Sequence, residues 1–541
     1  MKKKSKKLLA LLCSLTTTFS LVACSSTSQT SNDDNTVTFA KELDVISMDS
    51  SYATDGSSIE AIHATVDGLL TIDANGNLIP ALAKDKAKVS EDGLTYTYEL
   101  KDAKWDNGTA VTANDFVYAW QRTASSADAE YNYLYGADGA CIANADEVIA
   151  GEKQPSELGI KAINDTTLEI KLSKPCAYFE NLMSFPVFYP INEAFAKEKG
   201  DQYALTPENM LACGAYKMTS WETGSKYVLE KNESYYDKDA VKVDKLVFNV
   251  VKDLSSSALA FESGDVNFTK LNKDLVDKYK SASTYTEVLE GYLWYFQYNY
   301  KNEYLANENI RKALSLAIDK EDLVNNVLKD GSIVAKGFVP TLLATGPDGK
   351  DYRETAPSYM ATNVEEAKKA WKAGLEELGK DSITLSMLFD NADPAKSAAE
   401  YIQSNLQSTL DGLTIEMVAQ EKNNRIEMQK SGDFDISLTR WGPDYADPTT
   451  YLYLMATGNS YNYGNYSNKE FDAKMKEASD AQDVAARWQL LKDAEGICMQ
   501  DYAVAPIFQV GGASLISENV KGIETHAVGV PYIYKNVEIV K

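Results

Sequence analysis

Histidine is almost absent from this chain, and the sequence patterns that mark many enzymes are missing as well. Only His63 and His526 occur among 541 residues, so a Ser-His-Asp triad would have to use one of these two. The sequence contains no GxSxG, HExxH, GxGxxG or GxxxxGK[ST] pattern, which disfavours α/β-hydrolases, zinc proteases and nucleotide-binding enzymes. A glycosidase-like pair among the 79 acidic residues is not excluded by counting. The sequence therefore predicts that the protein is not an enzyme and that it has no cofactor and no metal site. Each histidine is interpreted as a structural or surface residue.

Cysteine is scarce too, and none of the six has the CxxC spacing of zinc ligands. Cys13 and Cys24 lie close to the N-terminus. The other four are Cys141, Cys176, Cys213 and Cys498. Four cysteines in an exported protein allow three disulfide pairings, and buried thiols are an equally good interpretation.

Long apolar runs are missing beyond the N-terminus, where five lysines precede a mostly apolar stretch at residues 8–22. This pattern is typical of a secretory signal peptide and too short for a comfortable membrane span. Leu21-Val22-Ala23-Cys24 resembles the lipobox of bacterial lipoproteins. The resemblance implies a lipoprotein signal peptide at residues 1–23 and lipidation of Cys24, for example by palmitate. An ordinary signal peptide with an incidental cysteine is the alternative.

Residues 24–36 are polar and low in complexity, so they are predicted to form a flexible tether. Together, these features predict a protein anchored by lipid on the extracytoplasmic face of the cell membrane. The formal net charge of −25 would repel phosphate backbones and anionic lipids. We therefore expect no nucleic-acid partner and membrane contact through the lipid anchor only.

Turn and cap signals alternate with apolar runs along the rest of the chain. Asn75-Gly76 lies between two apolar runs and predicts a hairpin. Thr112 is predicted to be a helix N-cap, with Asp115 at the capping-box position. Further helices are predicted at residues 309–318, after Asp319 as far as Gly331, and from Asn363 to Gly379; strands are predicted at residues 383–389, 413–419 and 434–441. This alternation of helices and strands indicates an α/β fold.

An aromatic stripe occupies residues 291–300. Its members, at alternate positions, are Tyr292, Trp294, Phe296, Tyr298 and Tyr300. The stripe has two interpretations, the wall of a ligand cleft or ordinary packing. Packing is favoured because aromatic side chains on strands usually pack.

Residues 440–454 (RWGPDYADPTTYLYL) follow a predicted strand, and ligands commonly bind at the carboxyl ends of strands in open α/β sheets. Asp447 and Pro448 are interpreted as the N-cap and first residue of the next helix. Asp444 has two interpretations, a turn former after Pro443 or a carboxylate that faces a ligand ammonium.

Four blocks resemble, in the same order, those of extracellular solute-binding proteins of family 5, the oligopeptide-binding lipoproteins of ABC importers. They are residues 80–122 (PALAKDKAKVSEDGLTYTYELKDAKWDNGTAVTANDFVYAWQR), 214–236 (GAYKMTSWETGSKYVLEKNESYY), 309–319 (NIRKALSLAID) and the RWGPDYADPTTYL segment. The resemblance extends over nearly the whole chain after the signal peptide.

The resemblance implies an α/β, two-lobed fold like that of the periplasmic binding proteins (type II, Venus flytrap), with an additional domain. Lobe I would comprise residues 37–66, 190–293 and 510–541. The additional domain would comprise residues 67–189, and lobe II residues 294–509. The implied protein is a monomer whose lobes close around one ligand.

The family also implies a binding mode, in which an extended peptide pairs with protein main chain like an added strand. Asp444 would bind the peptide α-ammonium. Trp441 and Gly442 would offer main-chain groups, opposed from lobe I by Asp55 and Gly56. The implied function is capture of short peptides and delivery to the permease subunits of an ABC transporter.

Some family members place arginines before the tryptophan to bind the peptide carboxylate. Here Leu438 and Gln429 stand at those positions, and Arg440 and Arg425 are shifted. Recognition of the peptide C-terminus and peptide length are therefore left open. The alternatives are the same fold binding another solute such as an oligosaccharide, a peptide-pheromone sensor, and a secreted hydrolase. Asp444 argues against a neutral sugar, which offers a buried carboxylate no cation.

Overall fold

The computed structural model describes residues 35–137, 139–359, 361–481 and 483–540. The predicted signal peptide, Cys24 and nearly all of the predicted tether lie outside the described residues. Among the helices in those ranges, none combines the length and apolar character that a membrane crossing needs.

One mixed sheet of eleven strands runs through the molecule. In spatial order ten of its strands are Leu413–Gln420, Ile383–Asp390, Ile436–Trp441, Tyr285–Tyr298, Val504–Ile516, Phe268–Leu271, Thr36–Lys41, Lys245–Val250, Lys226–Lys231 and Tyr216–Glu222, and Ile333–Val334 pairs with Val504–Ile516. The long antiparallel strands Tyr285–Tyr298 and Val504–Ile516, here called the crossing strands, lie at its centre. Their pairing is irregular between Leu289 and Leu293, so the two halves of the sheet meet at a break in the ladder.

Helices cover the half of the sheet built by the later part of the chain. They are Glu308–Ala317, Lys320–Asp322, Leu323–Leu328 (π-helical), Tyr352–Thr355, Val364–Leu378, Ala395–Thr409, Lys422–Ser431, Thr449–Leu452, Lys469–Asp480 and Val484–Gln500. The strands Ile383–Asp390 and Leu413–Gln420 pair in parallel. The helix Ala395–Thr409 connects them, as the predicted alternation of strands and helices requires for a parallel pair. Phe296, Leu385 and Ile436 are fully buried in the core that results.

The other half of the sheet has a separate core in which Phe39 stacks on Phe248, and Phe248 on Tyr227, with ring centroids 4.8 and 4.5 Å apart. The helix Gly56–Thr65 packs on this core. The helices Leu254–Ser263 and Lys273–Tyr279 form a small cluster against the crossing strand Val504–Ile516, and Glu193–Lys199 packs with the third core described next. Two small ladders near the C-terminus pair Val520–Lys521 with Glu538–Ile539, and Glu524–Thr525 with Tyr532–Ile533.

A third core belongs mainly to residues 69–191 and buries Trp105 and Trp120. Its strands are the hairpin Leu70–Ile72 and Leu78–Pro80 and the four-stranded sheet of Lys88–Val89, Thr95–Glu99, Thr167–Lys171 and Ile160–Asn164; its helices include Ala113–Ala124, the 3-10 helix Glu130–Tyr135, Ala145–Ile149 and Phe179–Leu182. The predicted domain boundaries stay a prediction, and those at 293/294 and 509/510 fall inside the crossing strands.

The predicted turns and caps are largely confirmed. Gly76 has a φ of +79° in the predicted hairpin, and Thr112 and Asp115 form the capping box. The helix after Asp319 ends earlier than predicted, at Leu328. Lys329 takes the left-handed conformation there, with a φ of +51°, ahead of Gly331.

Most of the predicted aromatic stripe packs in the core, as expected. Trp294, Phe296 and Tyr298 are no more than 2% exposed, whereas Tyr292 is 40% exposed. The four cysteines of the described residues are all buried as thiols.

Candidate functional site

The candidate site centres on the loop that follows the strand Ile436–Trp441 and precedes the helix Thr449–Leu452. Asp444 lies in this loop and is partly buried. Its backbone N–H donates to Thr450 Oγ1 at 3.2 Å, which fixes the turn. Burial raises the pKa of the Asp444 carboxyl to about 6, although a hydrogen bond from the Tyr133 hydroxyl stabilises the charged form.

Residues 444–446 contact the region of residues 67–189 one after another. Asp444 accepts a hydrogen bond from Tyr133. The Tyr445 ring stacks on the Tyr178 ring, with centroids 4.2 Å apart. The Asn181 side-chain amide donates to the Ala446 carbonyl at 3.2 Å. The loop therefore packs on a part of the chain that is distant in sequence.

Asp447 has a structural role, but it is not the helix N-cap that the sequence predicts, and sequence reasoning missed its partner. Its carboxylate accepts hydrogen bonds from both terminal nitrogens of Arg487, at 2.7 and 3.0 Å, and from the Thr449 N–H at 3.0 Å. The helix begins at Thr449, so Pro448 takes the N-cap position that was predicted for Asp447. Asp447 is thus committed to a buried ion pair.

Trp441 and Gly442 lie where the strand meets this loop. The Trp441 ring contacts the Tyr461 ring edge-on at 5.0 Å, and its buried indole N–H has no hydrogen-bond partner among the described residues. The Tyr451 hydroxyl lies 2.9 Å from the Trp441 carbonyl, so this carbonyl already has a partner within the protein. A Cβ on Gly442 would clash with the Tyr292 ring, so a larger residue here would have to displace that ring.

Asp55 and Gly56 stand at the start of the helix Gly56–Thr65. Asp55 is its N-cap and accepts a hydrogen bond from the Ser58 N–H at 2.9 Å. Gly56 and Pro443 line the same cavity, of about 240 Å³. The structure therefore brings Gly56 close to the loop that carries Asp444.

The Tyr131 hydroxyl interacts electrostatically with Asp444 and Asp55, the two carboxylates predicted for the site. Burial raises the pKa of its hydroxyl, and the negative charges of Asp444 and Asp55 add to this effect. The two carboxylates therefore lie within electrostatic range of the same tyrosine hydroxyl.

The arginines near the tryptophan are engaged within the protein. Arg425 donates to Asp390 at 2.6 Å and to Thr439 at 2.8 Å. The Arg440 guanidinium lies over the Tyr292 ring, 4.9 Å from its centroid. Leu438 is fully buried in the core. Gln429 donates to Gln297 at 2.8 Å. These contacts support no role for any of the four residues in binding a peptide carboxylate.

A second and larger cavity, of about 570 Å³, also adjoins Asp444. Leu342, Asp351 and His526 are among its lining residues. Sequence reasoning missed these three, together with Tyr133 and Tyr178. They come from segments far apart in the chain, and no local pattern connects them to Asp444.

The candidate site lies where segments that are distant in sequence meet around two cavities, and comparison with known proteins identifies the class. A sequence model of the bacterial extracellular solute-binding proteins, family 5 Middle, matches residues 77–463. The chain belongs to this family of extracellular solute-binding proteins, which consists of binding proteins.

Named relatives match over nearly the whole chain. The dipeptide-binding protein of Lactococcus lactis subsp. cremoris is 34% identical over 96% of each chain. The oligopeptide-binding protein OppA of Bacillus subtilis is 31% identical over 89% of this chain and 88% of that one.

Solved structures agree with this assignment. Listeria monocytogenes OppA bound to peptide has a TM-score of 0.76 at 36% identity, over 94% of this chain and 99% of that chain. The pheromone receptor PrgZ has a TM-score of 0.77 at 33% identity, over 94% of this chain and all of that chain. The predicted α/β fold of periplasmic-binding-protein type is confirmed.

Proposed function

We propose that this protein is an extracytoplasmic receptor that captures short peptides between two closing lobes and delivers them to an ABC permease. One observation carries the peptide assignment. Asp444 is partly buried, and among the described residues its carboxylate interacts with the neutral Tyr133 hydroxyl and not with a lysine or arginine. A desolvated carboxylate without a cation is unfavourable, and a peptide α-ammonium supplies the cation.

The α-ammonium binds Asp444, and Tyr133 holds the carboxylate in place. Charge-assisted hydrogen bonds of this kind are stronger than neutral ones. The peptide main chain runs past Gly442 and opposite Asp55 and Gly56, and the missing side chain of Gly56 leaves room there for close backbone approach. This arrangement gives affinity for peptides of varied sequence.

The names of relatives agree with this solute, since the proteins of Lactococcus lactis and Bacillus subtilis are named for dipeptides and oligopeptides. The protein performs no chemistry on the peptide, acts as a monomer and is held at the cell membrane by lipid on Cys24. A pheromone peptide is a second candidate, because the pheromone receptor PrgZ has the same fold at 33% identity. Both candidates use the same ammonium site.

Native mass spectrometry of protein purified from peptide-rich medium tests the proposal. We expect a set of bound masses that fit short peptides, and their loss in Asp444→Ala. Asp433→Ala is the matched control, because Asp433 is an exposed carboxylate nearby in sequence. A single mass that fits no peptide, or a wild-type protein that ignores a peptide library, contradicts the proposal.

A further inference from the structure

Besides residues 181–185 and 444–446, four chain segments that are distant in sequence line the larger cavity beside Asp444. They are the hairpin at residues 72–78, the loop at residues 342–345 with Asp351, residues 287–289 of a crossing strand, and residues 525–529 near the C-terminus. Its volume of about 570 Å³ is that of a site for a small organic ligand or part of a peptide.

The lining charges of this cavity have one sign. Glu287, Asp351 and Asp444 supply three carboxylates, and no lysine or arginine is among the lining residues of the described chain. His526 is the only basic group there. A cavity lined in this way favours cationic groups and disfavours anionic ones.

His526 provides a second observation that points to a ligand. Its side chain is 6% exposed, and Nε2 lies 3.9 Å from the Glu524 carboxylate, beyond hydrogen-bond distance. Nε2 has no hydrogen-bond partner among the described residues. The Glu524 carboxylate is the nearest charged group to this nitrogen, and a hydrogen bond with a polar group of a ligand in the cavity would add to that contact.

The loop between Thr341 and Asp351 is shaped for an amphipathic side chain. Leu342 adopts a φ of +59° and is 59% exposed, a strained and solvent-exposed conformation of a kind often found at functional sites. Asp351 is fixed by hydrogen bonds from the Thr341 hydroxyl at 3.1 Å and the Arg353 N–H at 2.9 Å. An apolar side chain and an immobilised carboxylate thus line one cavity, and lysine and arginine combine an apolar stem with a cationic head.

We propose that this cavity receives a lysine or arginine side chain of the bound peptide, with its cationic head on Asp351 and its stem on Leu342. The inference rests on the proposed function and adds a side-chain preference to it. Peptides with a basic residue at the position that reaches the cavity bind more tightly than their neutral or acidic counterparts.

Isothermal titration calorimetry with matched peptides tests this preference. The peptides are alanine-based and carry lysine, norleucine or glutamate at one position, which is moved along the peptide. At one position we expect lysine to bind about tenfold more tightly than norleucine, with the gap shrinking at high salt. In Asp351→Asn the gap falls to less than about twofold, while the norleucine peptide keeps its affinity.

Asp351→Asn keeps an oxygen that caps the helix Tyr352–Thr355, because asparagine caps helices as well as aspartate does. Asp348→Asn is the matched control, since Asp348 is exposed on the same loop and does not line the cavity. This variant retains the tenfold gap. Leu342→Ala weakens the lysine and norleucine peptides alike.

The outcomes separate this inference from the proposed function. If no peptide binds, the proposed function fails. If peptides bind but lysine and norleucine are equal at every position, or if Asp351→Asn leaves the lysine preference intact, the side-chain inference is wrong and the peptide assignment stands.

Discussion

The rings of Tyr178 and Tyr445 lie parallel, with 5° between their planes and 4.2 Å between their centroids. Tyr445 directly follows Asp444, whereas Tyr178 belongs to the core formed mainly by residues 69–191. The stack therefore fixes the loop that carries the candidate ammonium acceptor against a separate part of the molecule. We therefore expect binding at Asp444 to depend on the packing of these two parts.

Replacing Tyr445 with alanine is expected to weaken peptide binding about tenfold, because the loop loses the contact that orients Asp444. Calorimetric titration with one peptide measures the effect. Tyr445→Phe keeps the ring and is expected to bind within about twofold of wild type. Wild-type affinity in Tyr445→Ala would show that the stack does not position the site.

Asp444 is predicted to destabilise the ligand-free protein at neutral pH. Its folded-state pKa of about 6 lies above the ordinary value of 3.8 because burial disfavours the charge. The cost of this burial is absent well below pH 3.8, grows as the pH rises from 3.8 to about 6, and is fully present above that. Asp444→Asn is therefore expected to raise the unfolding free energy by about 1–2 kcal/mol at pH 7.5 and by little at pH 4.

Urea unfolding of both proteins at the two pH values, without ligand, measures this difference. Asp433→Asn serves as control, because Asp433 is exposed and its replacement is expected to leave the unfolding free energy within about 0.5 kcal/mol. Equal stabilities of wild type and Asp444→Asn at pH 7.5 would mean that the carboxylate is not desolvated.

Gly442→Ala is expected to reduce peptide affinity about tenfold while the protein still folds. The new Cβ would lie 2.3 Å from the Tyr292 ring, and Tyr292 is exposed enough to turn away into the cleft. Removing the ring in Gly442→Ala/Tyr292→Ala relieves the clash. The peptide affinities of the single and double variants are measured by calorimetry. Unchanged binding by Gly442→Ala would show that Gly442 is not part of the peptide site.

Asp447→Asn is expected to destabilise the fold by about 3 kcal/mol, because it leaves the buried Arg487 guanidinium without its charge partner. Arg487→Met in the same chain removes the unpaired charge and recovers part of the loss. Unfolding experiments measure both effects. If the Asp447→Asn variant is as stable as wild type, Asp447 does not have the structural role assigned to it.

The sequence predicts the local features well, because turns, caps and strand-helix alternation depend on neighbouring residues. The capping box of Thr112 and Asp115 and the left-handed Gly379 are examples. The resemblance also led to Asp444. The partners Tyr133 and Tyr178, and the cavity formed with Asp351, could not be predicted, because only the tertiary fold brings their segments together.

The central claim is that Asp444 binds a peptide α-ammonium, and a double-mutant cycle with an acetylated peptide tests it most directly. Calorimetry compares one peptide and its N-acetylated form on wild type and on Asp444→Asn. The account predicts that acetylation weakens wild-type binding about a hundredfold and has little further effect in Asp444→Asn, since both changes remove the same ion pair. Equal losses on both proteins, or tight binding of the acetylated peptide to wild type, would contradict the claim.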